Sequence, residues 1–240
     1  MRGGYFKYIP IGTKCANAQK QLAHLKKKDP DISPIVVEGN KVVTTWWGEA
    51  WIDNLEGYAD YENRIGRGRS YVKNGLVLDL RISPGLLTSL VSGSRKTPYE
   101  VRIEIDPLSP SKWKAIVEQI GRRISNMEDL VRGRFPEELK EIFLRRGEGL
   151  FPSPKEIHMS CSCPDWAYMC KHVAAALYGA GTRLDRDPPL FFTLRRVDFS
   201  SLLKKSIDEK MNSMLKNAGK KTSRVIDDAD VTDLFGLQRY

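Results

Sequence analysis

Ala16 to Lys28 reads as a short basic helix that Asp29-Pro30 would stop. Apolar residues then keep a helical period through Trp46, Trp47, Trp51, Ile52 and Leu55, which predicts a helix whose rings sit in the core. Near Gly68 the period changes to two. Ser70–Lys73 reads as a short strand and Asn74-Gly75 as a hairpin turn, after which Leu76, Leu78, Leu80 and Ile82 alternate with Val77, Asp79 and Arg81. Pro84-Gly85 turns the chain into Leu86–Ser92, and Tyr99, Val101, Ile103 and Ile105 alternate again. Four such strands predict a curled antiparallel meander, wet on one face. Helices follow: Trp113–Arg123 capped by Ser111, a short one from Ser125 or Asn126 to Val131, and Glu137–Arg145 opened by Pro136. Asp187-Pro188-Pro189 begins an extended connection to Leu194, Ser200–Leu215 reads as an amphipathic helix, and Lys216–Arg224 as a basic linker.

These elements predict an α+β protein: a curled antiparallel sheet with flanking helices, plus a small treble ββα-like finger. The divisions are an N-terminal extension (1–45), an α+β domain (46–150), a finger region (151–198) and a C-terminal helix and tail (199–240).

Charge narrows the partners. With 39 Lys+Arg against 30 Asp+Glu, the chain carries +9, a balance that favours polyanionic partners through non-specific attraction. No apolar run is long enough to span a membrane, and the first residues lack the apolar core of a secretory leader. Four cysteines, three of them within ten residues, suit a metal site in a reducing cytoplasm better than a disulfide framework.

Those three cysteines belong to Cys161-Ser162-Cys163-Pro164-Asp165-Trp166-Ala167-Tyr168-Met169-Cys170-Lys171-His172. Three thiolates and one imidazole complete a tetrahedral zinc shell with no position left for water, so the metal is structural. In an extended strand Cys161 and Cys163 point the same way, Pro164-Asp165 turns the chain, and Cys170 and His172 lie where the apolar helix Val173–Tyr178 begins. A Cys161–Cys170 or Cys163–Cys170 disulfide would leave His172 unexplained. His158 is a substitute ligand only if one of the four fails, and Cys15 reads as a small hydrophobe.

This pattern resembles the SWIM zinc finger, Cys-x-Cys followed by a variable gap and Cys-x-His. Trp46-Trp47-Gly48, Tyr58–Arg64, Gly68–Val72 and Phe135–Leu139 extend the similarity to prokaryotic stand-alone SWIM proteins, over about residues 45–198. The resemblance implies zinc held by Cys161, Cys163, Cys170 and His172. It also implies binding rather than catalysis, with a Swi/Snf-type helicase as partner.

The expected function is therefore a non-catalytic nucleic-acid-binding adaptor, for DNA before RNA, with no small-molecule substrate. Arg64, Arg67, Arg69 and Lys73 lie in a Gly-rich approach to the first strand, and Lys171 and Arg183 flank the finger; these are the candidate phosphate contacts. A protein-docking module is the alternative. Its candidate contacts are Val231, Leu234, Phe235 and Leu237, set in an acidic tail that would fold into a partner's groove or pack on its own domain. Enzyme signatures are missing: there is no phosphate-binding loop ahead of Gly219-Lys220-Lys221-Thr222, no dinucleotide fingerprint at Gly66-x-Gly68 and no zinc-deaminase pattern.

Overall fold

Strict alternation in Tyr99–Ile105 becomes the backbone of the sheet. In this computed structural model, which describes residues 9–57, 62–123 and 135–218, Tyr99, Val101, Ile103 and Ile105 are buried while Glu100, Arg102 and Glu104 face solvent. The sheet is open, antiparallel and ordered β1 (Val77–Ser83), β2 (Leu86–Val91), β3 (Tyr99–Ile105) and β4 (Ile157–Cys161). Pro84-Gly85 makes the tight β1–β2 turn, with Gly85 at φ +70°, where a side chain would be strained.

The fourth strand comes from the finger and not from Ser70–Lys73. The latter closes a helix, α3 (Glu62–Lys73), which follows α1 (Ile11–Lys28) and α2 (Trp46–Glu56). Asn74-Gly75 is accordingly a helix ending and not a hairpin: Leu76 N–H donates to Tyr71 C=O and Gly75 N–H to Val72 C=O, with Gly75 at φ +67°. That pair of bonds is a Schellman motif, which demands the same left-handed glycine as a hairpin turn and so shares its sequence signature.

Later elements are α4 (Pro110–Arg123), a 3-10 turn running into α5 (Lys140–Phe143), α6 (Lys171–Arg186), α7 (Leu190–Arg195) and α8 (Phe199–Ala218). The first turn of α4 is closed by Ser109, whose carbonyl accepts from Trp113 N–H and whose hydroxyl meets Lys112 N–H, and not by Ser111. Leu190–Leu194 is helical where an extended connection was expected, because the Pro-Pro pair follows the C-cap of one helix and leads straight into the next, Pro189 being its N-cap. The expected 125–131 helix and the four tail anchors Val231, Leu234, Phe235 and Leu237 lie outside the described residues.

Helix α6 is the spine. It is buried from His172 through Thr182, with Leu184 as well. Its small residues permit that: a Cβ on Gly179 would lie 3.0 Å from Leu80 Cδ1 of β1, and Ala174 sits under Gly68 of α3. At the Gly68 crossing a methyl would come within 2.5 Å of Ala174 Cβ. Gly68 thus serves helix–helix approach rather than approach to a phosphate. The tryptophans of α2 fasten to the same spine, Trp51 Nε1–H donating to Leu177 C=O (3.0 Å) and Trp47 Nε1–H to Leu184 C=O (3.1 Å). Asp185, near its end, accepts from the N–H groups of Thr44 and Thr45 at the start of α2. An aromatic cluster of Trp51, Phe135, Phe143, Phe151, Phe191 and Phe192 fills the space between α2, α5 and α7.

Candidate metal centre

Strand β4 delivers Cys161 on the inward side it shares with Ile157 and Met159, through pairing of Val101 with Cys161 and of Ile105 with Ile157. The strand ends there, so Cys163 is presented by the following turn and not by an extended strand. Cys170 is the residue immediately before α6, and His172 lies in its first turn. The four ligand atoms lie within 4.8 Å of one another. His172 Nδ1 is 3.9 Å from the sulfurs of both Cys161 and Cys170. A tetrahedron with metal–sulfur and metal–nitrogen bonds of about 2.3 and 2.1 Å has S···N edges near 3.6 Å, so the donors already stand close to zinc-binding distance.

Backbone amides complete the sulfur environment. The N–H groups of Cys163, Asp165 and Val173 favour the thiolates of Cys161, Cys163 and Cys170 respectively. With no cation present, three thiols this close cannot all ionise. A hydrogen bond from Cys161 draws the Cys170 thiol well below its usual range, and that same bond, with burial, drives the Cys161 thiol far up. Zn²⁺ removes this competition by taking all three as thiolates. Burial lowers the His172 imidazole, keeping it neutral and able to bind metal. Its ring stacks on Tyr99 at 4.1 Å and meets Tyr71 edge-on, which fixes its plane. Cysteine thiolates with one neutral imidazole fit zinc; they fill the four positions and leave none for substrate.

The remaining candidates separate. His158 is exposed and bonds Asp106 (3.2 Å), while the Cys15 thiol points at Asn74 C=O (3.6 Å), so neither joins the cluster. On a helix rather than a strand, Arg64, Arg67 and Tyr71 share one side of α3, and Arg69 and Lys73 turn to another. Arg64 pairs bidentately with Asp165 of the finger loop, at 3.0 and 3.3 Å. Arg69 binds Glu56 of α2 and lies over Tyr178. Lys73 is exposed. Arg183 is twelve residues beyond Lys171, which places it about 18 Å along α6 from the metal ligands. Its guanidinium donates to Ser33 and Pro34 carbonyls, so it ties the 33–35 segment to the far end of the finger's helix, away from the metal ligands.

One cation brought into the cluster was not singled out by sequence. Lys14 of α1 lies over the Tyr71 ring at 5.3 Å, and burial together with the charges of Lys171 and Arg67 lowers its ammonium. None of the three makes an ion pair among the described residues. Arg95 adds a fourth charge, 4.8 Å over Tyr99 and donating to Ser162 C=O (3.1 Å) of the finger. The acid-free basic run of α1 was the available signal for Lys14; its place depends on how α1 packs.

Residues 154–179 match the SWIM zinc finger family. Over 148 residues the chain is 38% identical to Uncharacterized protein Rv2102 of Mycobacterium tuberculosis, an alignment covering 61% of this chain and 53% of that one. The chain thus matches about half the length of this relative. No solved structure matches.

Proposed function

We propose that this SWIM zinc finger protein is a non-catalytic adaptor that binds nucleic acid, DNA in the first instance, on the basic face beside the metal. The observation that carries the reading is the gathering of three cations from three helices around Tyr71, with no ion pair to any of them among the described residues: Lys14 lies over its ring, Arg67 stands one turn before it on α3, and Lys171 adjoins His172, whose imidazole meets the ring edge-on. Gathering like charges on one face is unfavourable in the free protein, and a phosphodiester backbone relieves the repulsion. The structural metal supports this role by setting the position of Lys171, which stands between ligands Cys170 and His172. A Swi/Snf-type motor as the recipient of the bound strand rests on the resemblance of the sequence to proteins of that setting.

Fluorescence anisotropy with single- and double-stranded DNA and RNA across a salt series tests the reading. Three phosphate contacts predict a log–log slope of roughly −2 to −3, made shallower by Lys14→Glu, Arg67→Glu or Lys171→Glu. Absent or salt-insensitive binding would reject it. The alternative, protein docking without nucleic acid, is favoured by one observation. Ile207, Met211, Met214 and Leu215 form an exposed apolar stripe along α8.

A further inference from the structure

The finger loop presents Trp166 with 80% of its surface exposed, the highest value for any large apolar residue among those described. Burial is the usual fate of this side chain, and the other described tryptophans are packed in or against the core. Trp166 is not a loose end. Its neighbour Asp165 is held by Arg64 and accepts from Ala167 N–H, and the Arg64 guanidinium lies 5.9 Å over the indole ring. The ring is therefore positioned by the metal loop on one side and by α3 on the other. Arg64 stands one helical turn from Arg67, and Tyr71, one turn further along α3, carries Lys14 over its ring at 5.3 Å. A row of cations thus leads from Trp166 past Arg64 and Arg67 along one side of α3 to Lys14 over Tyr71. Tyr168, the other exposed ring of the loop, is pinned by its hydroxyl to Ile157 C=O (2.6 Å) and belongs to the scaffold.

We infer that Trp166 is a stacking platform for an unpaired base, so that the preferred ligand of the basic face is single-stranded nucleic acid. The inference rests on the nucleic-acid reading above and sharpens it to a substrate class. In a duplex the base faces are occupied by neighbouring bases, and an indole can use them only after unstacking. In a single strand each base offers its π face, while its phosphates follow the cations.

The test uses the full zinc-loaded chain and two probes, a labelled oligothymidylate and a labelled fully paired duplex without a loop. Trp166→Ala is expected to weaken oligothymidylate binding roughly 5- to 100-fold, leaving the duplex within about 2-fold, with an unchanged salt slope because stacking releases no counterions. Trp166→Tyr is expected to restore most of the loss and Trp166→Leu little of it. Zinc content and melting temperature of each variant establish that the finger is intact. Equal losses on both probes, rescue by leucine, or unchanged oligothymidylate binding would overturn the stacking role, the last outcome assigning the ring to a protein contact. If the parent chain bound neither probe, the nucleic-acid reading would fall and this inference with it. Salt-dependent binding indifferent to Trp166 would sink the inference alone.

Discussion

Helix α6 and the loop before it belong to one finger, yet they meet the rest of the molecule in opposite ways. The helix is buried over most of its length against α2, α3 and the sheet, its carbonyls accepting from the indoles of α2 and its Asp185 carboxylate accepting from the Thr45 N–H. The loop from Ser162 to Met169 buries Ala167 and Met169 and leaves Ser162, Pro164, Trp166 and Tyr168 outside. Hydrophobic burial suffices to place the helix. It does not suffice for the loop, whose order comes from four ligands, three amide–sulfur contacts and the Arg64–Asp165 pair. The metal stabilises the part of the finger that the core cannot reach, and that part carries the candidate contacts.

Zinc removal separates the two regions most strongly. Structural sites of this class supply on the order of 10 kcal/mol of apparent binding free energy, so chelation or Cys170→Ser is expected to abolish stoichiometric zinc and lower the melting temperature sharply. Hydrogen exchange is expected to show the loop and the end of β4 losing amide protection first, with the middle of α6 still protected. Simultaneous loss would show that helix and loop unfold as one unit.

Arg195 tests the frame beneath the finger. It is 2% exposed and paired with Glu156, next to the start of β4, at 2.7 Å. Arg195→Ala is expected to cost about 3–5 kcal/mol in chemical denaturation, because it strands a partly buried carboxylate. Burial pushes the Glu156 carboxyl up, but hydrogen bonds from Arg195 and from the Ser153 N–H and hydroxyl outweigh it and hold the group below its usual range. A depressed carboxyl contributes in full above its unfolded value of about 4.3, and the contribution is lost as pH falls through the lower folded value. Melting temperature should therefore fall more steeply below about pH 4 in the parent than in Glu156→Gln.

A smaller effect probes the helix side. Gly68→Val forces a side chain against Ala174 and the α6 backbone, and is expected to cost about 1–3 kcal/mol while zinc stoichiometry stays at one. The smallest probes the loop side. Arg64→Ala removes a half-buried bidentate pair and is expected to cost about 1 kcal/mol, but to increase amide exchange in residues 164–168 specifically. An equal increase along α6 would erase the distinction between the two regions.

The metal ligands were legible because Cys-x-Cys and Cys-x-His constrain neighbours in sequence, where geometry is local. The buried tryptophans and the alternation of β3 were legible for the same reason. Ser70–Lys73 was misread because a four-residue stretch carries either period, and Asn74-Gly75 because two different turns need one backbone conformation. The charged residues were the least legible. Arg64, Arg69 and Arg183 look alike in sequence to Arg67, and only their neighbours Asp165, Glu56 and Ser33 decide which cation faces inward.

The amino-acid sequence by itself determined the donor set, the zinc chemistry it selects and the α+β composition of the chain, since ligand type and hydrophobic period are properties of short segments. Only the tertiary structure decided that β4 joins the meander's sheet, that the finger's helix is the spine of the core, and that Lys14 of α1 stands over Tyr71 of α3. Those facts depend on which surfaces exclude water together, a long-range outcome that no local spacing encodes.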